Sequence, residues 1–237
     1  MYEAVTAYPT GRATVSRLAR VAASIGFDGI VVRNWDEVTE TGASEGAEED
    51  TDVDVVRAVT VDASDRSRAR SAIDRLREEY PILLARTDGA SATRYAAERR
   101  RIDVVTGVVR DGQAPAHTTV RTARDNGVRI EVSLEPVLRS RGGRRVRHVQ
   151  ALEELARVIE HYDAPYVVSA APSSHLELRG PRGLVAVGTA IGLDAEWLER
   201  GLEEWRRLAD RGRRVQSESF IEPGVERSDG DTEGRST

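Results

Sequence analysis

The chain has 237 residues, 39% of them hydrophobic, which suffices for one sizeable domain, and a formal net charge of −5. It contains no cysteine, which excludes disulfides, thiolate metal sites, iron–sulfur clusters and cysteine nucleophiles. It has no N-terminal apolar run and no long apolar segment, so neither a signal peptide nor a membrane span is expected, and a soluble cytoplasmic protein is the expectation.

Tyr2–Val5 is predicted to open a sheet. Val15, Leu18, Ala19, Ala22 and Ile25 share one helical face, and Gly26 stops that helix before a strand at Gly29–Arg33. An acidic loop spans residues 36–54; within it Thr39–Asp54 is too polar to pack and reads as a disordered insertion. Val55–Val61 is predicted as a strand, Ala69, Ala72, Ile73 and Leu76 as a helical stripe, and Pro81–Arg86 as the next strand. Ser91 is expected to cap a short helix reaching Arg99, followed by a brief strand at Ile102–Val105, a helix over Thr118–Asn126 closed by Gly127, and a strand at Val128–Leu134. Leu152, Leu155, Ala156 and Ile159 form a helical stripe ahead of a strand at Tyr166–Ala170. One helix opens at Pro181, where the missing amide proton costs nothing, and a last one, capped by Asp194, turns Leu198, Leu202, Trp205 and Leu208 inward. Residues 216–237 read as an acidic flexible tail whose apolar piece is FIEPGV.

Seven strand-like runs, nearly all separated by helices, fit an α/β, TIM-like (β/α) barrel, complete or distorted, occupying residues 1–215 as a single domain. No GxGxxG follows the first strand, which weakens a dinucleotide-binding sheet.

The mouth of such a barrel is where metal ligands or an acid/base pair would sit. A His-x-His pair closing the first strand would chelate a metal, but that stretch reads YEAVTAYP, and His117, His148, His161 and His175 lie in separate segments. The strand ends offer Arg33, Asn34, Arg86, Glu135 and Ser169 instead. A lone glutamate among arginines points to a salt bridge rather than proton transfer. Ser173 and Ser174 beside His175 read as a polar loop or cap. No catalytic residue and no protein-bound metal or cofactor is expected.

Charge is segregated along the chain. All 35 of its Lys+Arg residues are arginine, a bias that salt adaptation and GC-rich coding explain and that points to a halophilic source. Nine acids and no arginine fall between Asp36 and Asp54, and six acids face Arg227 and Arg235 alone between Gln216 and Thr237. Those segments carry −9 and −4, so against a total of −5 the rest of the chain stands at +8. A basic body with acidic appendages suits a polyanion. Arg139, Arg141, Arg144, Arg145 and Arg147 surround Gly142 and Gly143 with no acid among them, and a flexible loop of this kind could follow a sugar-phosphate backbone. Arg99, Arg100 and Arg101 form a second cluster at a helix end, where cations already complement the helix dipole. Aromatic residues make up only 5%, so stacking platforms are scarce and recognition of phosphates and shape, as in structured RNA, is favoured.

The segment VVSAAPSSHLELRGPRGLVAVGTAIGL, Val167–Leu193, resembles the protein component 3 family of ribonuclease P, the archaeal relative of the eukaryotic thirty-kilodalton subunit. The matching pieces are LELRGP at Leu176–Pro181, Gly188 in the next helix, EVSLEPVLRSRGGRRVRH at Glu131–His148 and GFDGIVVRN at Gly26–Asn34; the similarity runs over roughly residues 1–215. The resemblance implies a barrel related to metal-dependent phosphoesterases but without their histidines. It implies that the catalyst is the ribonuclease P RNA, with magnesium held by that RNA, and that the protein helps fold or anchor the RNA that removes the 5′ leader from precursor tRNA. Partners implied are that RNA, precursor tRNA indirectly, the ribonuclease P protein component 2 and other protein subunits. Arg179 belongs to the family's motif and Arg182 lies just beyond Pro181, so the expected RNA contacts are Arg139, Arg141, Arg144, Arg145, Arg147, Arg179, Arg182, Arg33, Asn34 and Arg86. The alternative is a metal-dependent phosphoesterase on the same barrel.

Overall fold

The computed structural model describes residues 1–41 and 53–216, and the backbone of 220–222 and 225–226. Seven parallel strands pair in sequence order: β1 (Tyr2–Val5), β2 (Gly29–Val32), β3 (Asp54–Asp62), β4 (Ile82–Arg86), β5 (Val104–Thr106), β6 (Arg129–Ser133) and β7 (Tyr166–Ser169). The helices are α1 (Val15–Ser24), α2 (Trp35–Glu40), α3 (Arg66–Glu79), α4 (Ala90–Ala97), α5 (His117–Asn126), α6 (Glu135–Arg139), α7 (Gly142–Tyr162), α8 (Pro181–Ala190) and α9 (Ala195–Gln216), with a 3-10 turn at His175–Glu177. A separate antiparallel pair, β8 (Phe220–Glu222) and β9 (Val225–Glu226), falls on the FIEPGV segment. The strands are short, apolar and mostly buried on both faces, as parallel strands wrapped by helices must be.

The structure thus has the expected nearly closed TIM-like barrel, and three local expectations change. The acidic loop expected at 36–54 is partly structured: Asp36–Glu40 lie in α2, anchored by buried Trp35 and Val38, and Asp54 opens β3. Asp36 and Glu37 sit in the first turn of α2, where acids suit the helix dipole; residues 42–52 lie outside the described residues. Ser91 does not cap α4, which starts at Ala90 after Gly89, and its hydroxyl instead accepts from Arg66 Nη2 at 2.6 Å. The glycine-containing basic segment is not a loop, because buried Ala151, Leu152 and Leu155 anchor a helix that propagates back to Gly142.

β1 and β7 do not pair, and side chains and loops bridge the seam between them. Glu3 Oε1 accepts from the Ala170 amide at 3.1 Å, and above it the Thr6 amide donates to Pro172 O at 2.9 Å. From below, Trp205 Nε1 donates to Val168 O at 2.8 Å, so that this edge carbonyl is not left unpaired in the interior.

Trp205 belongs to α9, which lies across the N-terminal end of the barrel. The placement follows from its partners, all at strand starts: Glu204 pairs with Arg129 of β6 at 2.9 Å, Arg211 with Asp103 before β5, and Arg213 with Asp54 of β3. Gly212 approaches the Pro81 carbonyl ahead of β4 so closely that no side chain would fit. Trp205, Leu208 and Ala209 form a cluster with Ala4, Val31, Val56, Ala58, Leu84 and Val167 from the strands, which fills the lower half of the barrel. The remaining core lies between sheet and outer helices. Among the described residues, no helix is long and apolar enough to cross a membrane.

Candidate nucleic-acid interface

Above the apolar plug, the barrel interior becomes polar. Arg33 directly follows β2, and its guanidinium grips Glu131 of β6 with both terminal nitrogens, one contact at 3.3 Å and the other shorter. Nη2 also reaches Ser169 Oγ of β7 at 3.1 Å, Ser169 donates to Glu131 Oε1 at 2.5 Å, and Thr106 of β5 donates to Glu131 Oε2. The guanidinium carbon lies 5.7 Å from the Trp205 ring centroid. Burial alone would raise the Glu131 carboxyl, but the Arg33 charge and the hydrogen bonds from Arg33, Ser169 and Thr106 outweigh it and hold the group below its ordinary range. Glu3, equally enclosed, accepts only from the Ala4 and Ala170 amides, and burial pushes it up to about 8. Neither carboxylate was singled out from the sequence; the available signal was a glutamate inside each of the apolar strands YEAV and RIEVS.

A cavity of about 470 Å³ opens at this mouth, lined by Thr6, Arg33, Thr106, Glu131, Glu135 and Arg139 among others. Every charged group there is already engaged: Arg33 with Glu131, and Glu135 with Arg139 at 2.7 Å across one helical turn. The donor set does not suit a metal, and among the described residues no three His, Cys, Asp or Glu side chains gather into a ligand cluster. A phosphoesterase reading is therefore not favoured. Arg33 and Asn34 are each only 7% exposed. Asn34 accepts from the Ala7 amide at 2.9 Å and donates to the Ala7 carbonyl at 2.8 Å. Both side chains are thereby engaged in holding the end of β2 to its neighbours.

The side chains of the other arginines singled out above lie outside the barrel interior. Arg86 is exposed and pairs with Asp62 at 3.1 Å. Arg139 is neutralised twice, by Glu135 and by Glu177 at 2.6 Å. Glu177 is itself held below its ordinary range: burial opposes this, and hydrogen bonds from Ser173 with the charges of Arg139 and Arg12 prevail. Arg179 and Arg182 are exposed around Gly180, which packs against the Ile25 carbonyl at the end of α1, where an added Cβ would lie 2.6 Å from that oxygen. That contact gives the Leu-Arg-Gly-Pro turn a shaping role. Ser174 caps the 3-10 turn by accepting from the Leu176 amide at 3.3 Å.

Arg141, Arg144, Arg145 and Arg147 are exposed on the cap and first turns of the 21-residue α7. Arg145 Nε donates to Ser140 O at 2.8 Å, and among the described residues none of the four has a carboxylate partner. The first turn holds no acid and Arg141 makes no side-chain cap bond, so four cations stand at the positive end of a helix dipole. Gly112, at φ +77°, brings the β5–α5 loop against Arg147, where an added Cβ would lie 2.6 Å from Arg147 Cβ. The exposed Arg110 of that loop, whose Nε lies 3.9 Å from Asp111 Oδ2, therefore joins the same surface; it stands apart from the other arginines in sequence, and only the fold brings it in.

The model of the RNase P subunit p30 family matches residues 1–217. The "Ribonuclease P protein component 3" of Halobacterium salinarum is 48% identical over 96% of this chain and 97% of its own length. Among solved structures, a chain of an archaeal ribonuclease P solved by cryo-EM with mature tRNA superposes with a TM-score of 0.83 at 16% identity, covering 98% of this chain and all of that one. Histidinol phosphate phosphatase from Lactococcus lactis, solved with zinc, L-histidinol and phosphate, superposes with a TM-score of 0.56 at 9% identity over 81% of this chain and 94% of its own, a likeness of fold alone. By the length of the family match and the identity to its haloarchaeal relative, the chain belongs to the RNase P subunit p30 family.

Proposed function

We propose that this subunit is a non-catalytic RNA-binding protein that grips ribonuclease P RNA through the first turns of α7. The observation that carries the reading is the set Arg141, Arg144, Arg145 and Arg147: four exposed guanidiniums without carboxylate partners, added to the positive end of a helix. Such an arrangement is costly in isolation and favourable against phosphate, since guanidinium forks and unsatisfied helix amides both accept a polyanion. Arg110 extends the surface, and Arg179 and Arg182 are candidates for further contacts; Arg33 and Asn34 act as interior struts, while the ion-paired Arg86 and Arg139 are weaker candidates. Cleavage of the precursor tRNA leader rests with the RNA and the magnesium ions it holds. The protein neutralises phosphates where RNA helices pack, in the cytoplasm, with component 2 as a protein partner.

The test is binding of the cognate ribonuclease P RNA across a salt series. Replacing Arg144, Arg145 and Arg147 with alanine together is expected to weaken binding and to reduce the slope of log K against log salt by about 2 to 3, close to one per lost phosphate contact. An unchanged slope in a folded variant removes α7 from the interface. Reconstitution supplies the functional counterpart: omitting this subunit alone should raise the magnesium requirement of precursor tRNA cleavage.

A further inference from the structure

Most structural arginines in this chain have an acid to hold: Arg33 has Glu131, Arg77 and Arg211 share Asp103, Arg129 has Glu204 and Arg213 has Asp54. Against that pattern a second group stands out, in a cleft of about 310 Å³ between α3 and the turn that follows α4, lined by Arg70, Ile73, Asp74, Glu98, Arg99, Arg100 and Arg101. The two acids are already taken, Asp74 by Arg101 at 2.9 Å and Glu98 by Arg94 at 3.2 Å. Arg70, Arg99 and Arg100 therefore share the cleft with no carboxylate partner among the described residues.

Two of these three are fixed in place by neutral groups. The Arg99 guanidinium lies 4.4 Å from the Tyr95 ring centroid, and Tyr95 is itself held by its hydroxyl donating to Arg66 O at 3.2 Å. Arg100 donates through Nε to Asn126 Oδ1 at 3.2 Å, while the Asn126 amide nitrogen donates to Ala97 O and Thr122 O. Holding Arg100 by Nε leaves its two terminal nitrogens free as a fork. Dipole compensation at the end of α4 needs one cation in the last turn, which Arg94 already supplies. Three unpaired, partly immobilised guanidiniums converging on one cleft repel one another unless an anion lies between them.

We infer that this cleft is a second phosphate site for RNA, separate from the first turns of α7. Arg99–Arg101 precede β5 at the N-terminal end of the barrel, whereas α7 begins beyond β6 at the opposite end. Between them α5, which packs on both α4 and α7, exposes Arg121. A basic track running the height of the barrel fits the backbone of one extended RNA helix, with its ends held by preorganised arginine forks. The inference rests on the RNA-binding reading above and adds a contact to it.

The test uses the full chain and its cognate ribonuclease P RNA, comparing wild type with the double variant Arg70→Gln, Arg100→Gln. This pair leaves the Arg99–Tyr95 stack intact, and an unchanged thermal melt of the free variant confirms the fold. The variant is expected to bind about tenfold more weakly at moderate salt, with a salt slope smaller by about 2. Should wild type bind and the variant match it in affinity and slope, the second site is overturned while the α7 interface stands. Wild type that fails to bind at all overturns the RNA-binding reading itself. A variant that keeps its RNA affinity but no longer joins the other protein subunits would assign the cleft to protein carboxylates and overturn the phosphate site.

Discussion

Glu3 and Glu131 are both enclosed in the barrel, and the balance between burial and partners shifts them in opposite directions. Glu131 is surrounded by donors, Arg33, Ser169 and Thr106, that favour its charged form; Glu3 has two backbone amides, with Arg33 lowering and Glu131 raising its affinity for a proton. Burial dominates for Glu3, so the folded state holds its proton up to about 8 against 4.5 for a free carboxyl. Between those values the folded chain binds more protons than the unfolded one, and stability therefore falls as pH rises through that window. Urea unfolding at pH 5 and pH 8, at fixed high salt, is expected to show this decline in wild type and a flatter dependence in Glu3→Gln. Equal slopes in the two proteins would mean that Glu3 is not the titrating group. Neither carboxylate was legible beforehand, because in YEAV and RIEVS a single polar residue in an apolar strand is indistinguishable from an edge or rim position until the strands are closed into a barrel. The interior pairing of Arg33 was hidden for the same reason: its strand-end position was visible, but its partner lies 98 residues away.

Among the elements, α9 does the work of a missing wall and a floor at once. Its apolar spacing was plain in the sequence; its position beneath the barrel was not, because periodicity shows which face of a helix is buried and not what it is buried against. Gly201 and Gly212 encode that position, the first pressed on Val168 and Tyr166 and the second on the Pro81 backbone. Two changes probe it. Gly212→Ala forces a methyl against the Pro81 carbonyl, which cannot turn aside, and is expected to cost about 1–3 kcal/mol. Trp205→Phe leaves the Val168 carbonyl without its donor and is expected to cost about 1–3 kcal/mol. Gly183→Ala, an exposed position of α8 where an added Cβ would lie 4.0 Å from Arg179 Cβ, serves as the control and should be neutral or slightly stabilising in the same denaturation series. The basic segment after α6 shows the converse limit: Gly142 and Gly143 suggested a loop, yet the buried anchors ten residues on carry the helix back through them.

For the whole molecule, the decisive property is how opposite charges are kept apart. Placement was readable from the sequence as a body at +8 with acidic appendages, and the fold sharpens it: many arginines are engaged in ion pairs, and two groups without a carboxylate partner among the described residues stand on the first turns of α7 and in the cleft beside α4. Residues 42–52 contain Glu45, Glu48, Glu49, Asp50 and Asp52 and no base, so replacing them with a short neutral linker moves the net charge from −5 to 0. If those acids act only as a diffuse field, their effect on RNA binding must vanish with screening, since the Debye length falls from about 10 Å at 0.1 M salt to about 3 Å at 1 M. The linker variant is therefore expected to bind ribonuclease P RNA more tightly than wild type at 0.1 M and equally at 1 M, with circular dichroism confirming that both remain folded at each concentration. A constant ratio of affinities across that range would mean that the acidic segment competes at contact distance, as an anion seated on the arginines, and not through the long-range field that salt removes.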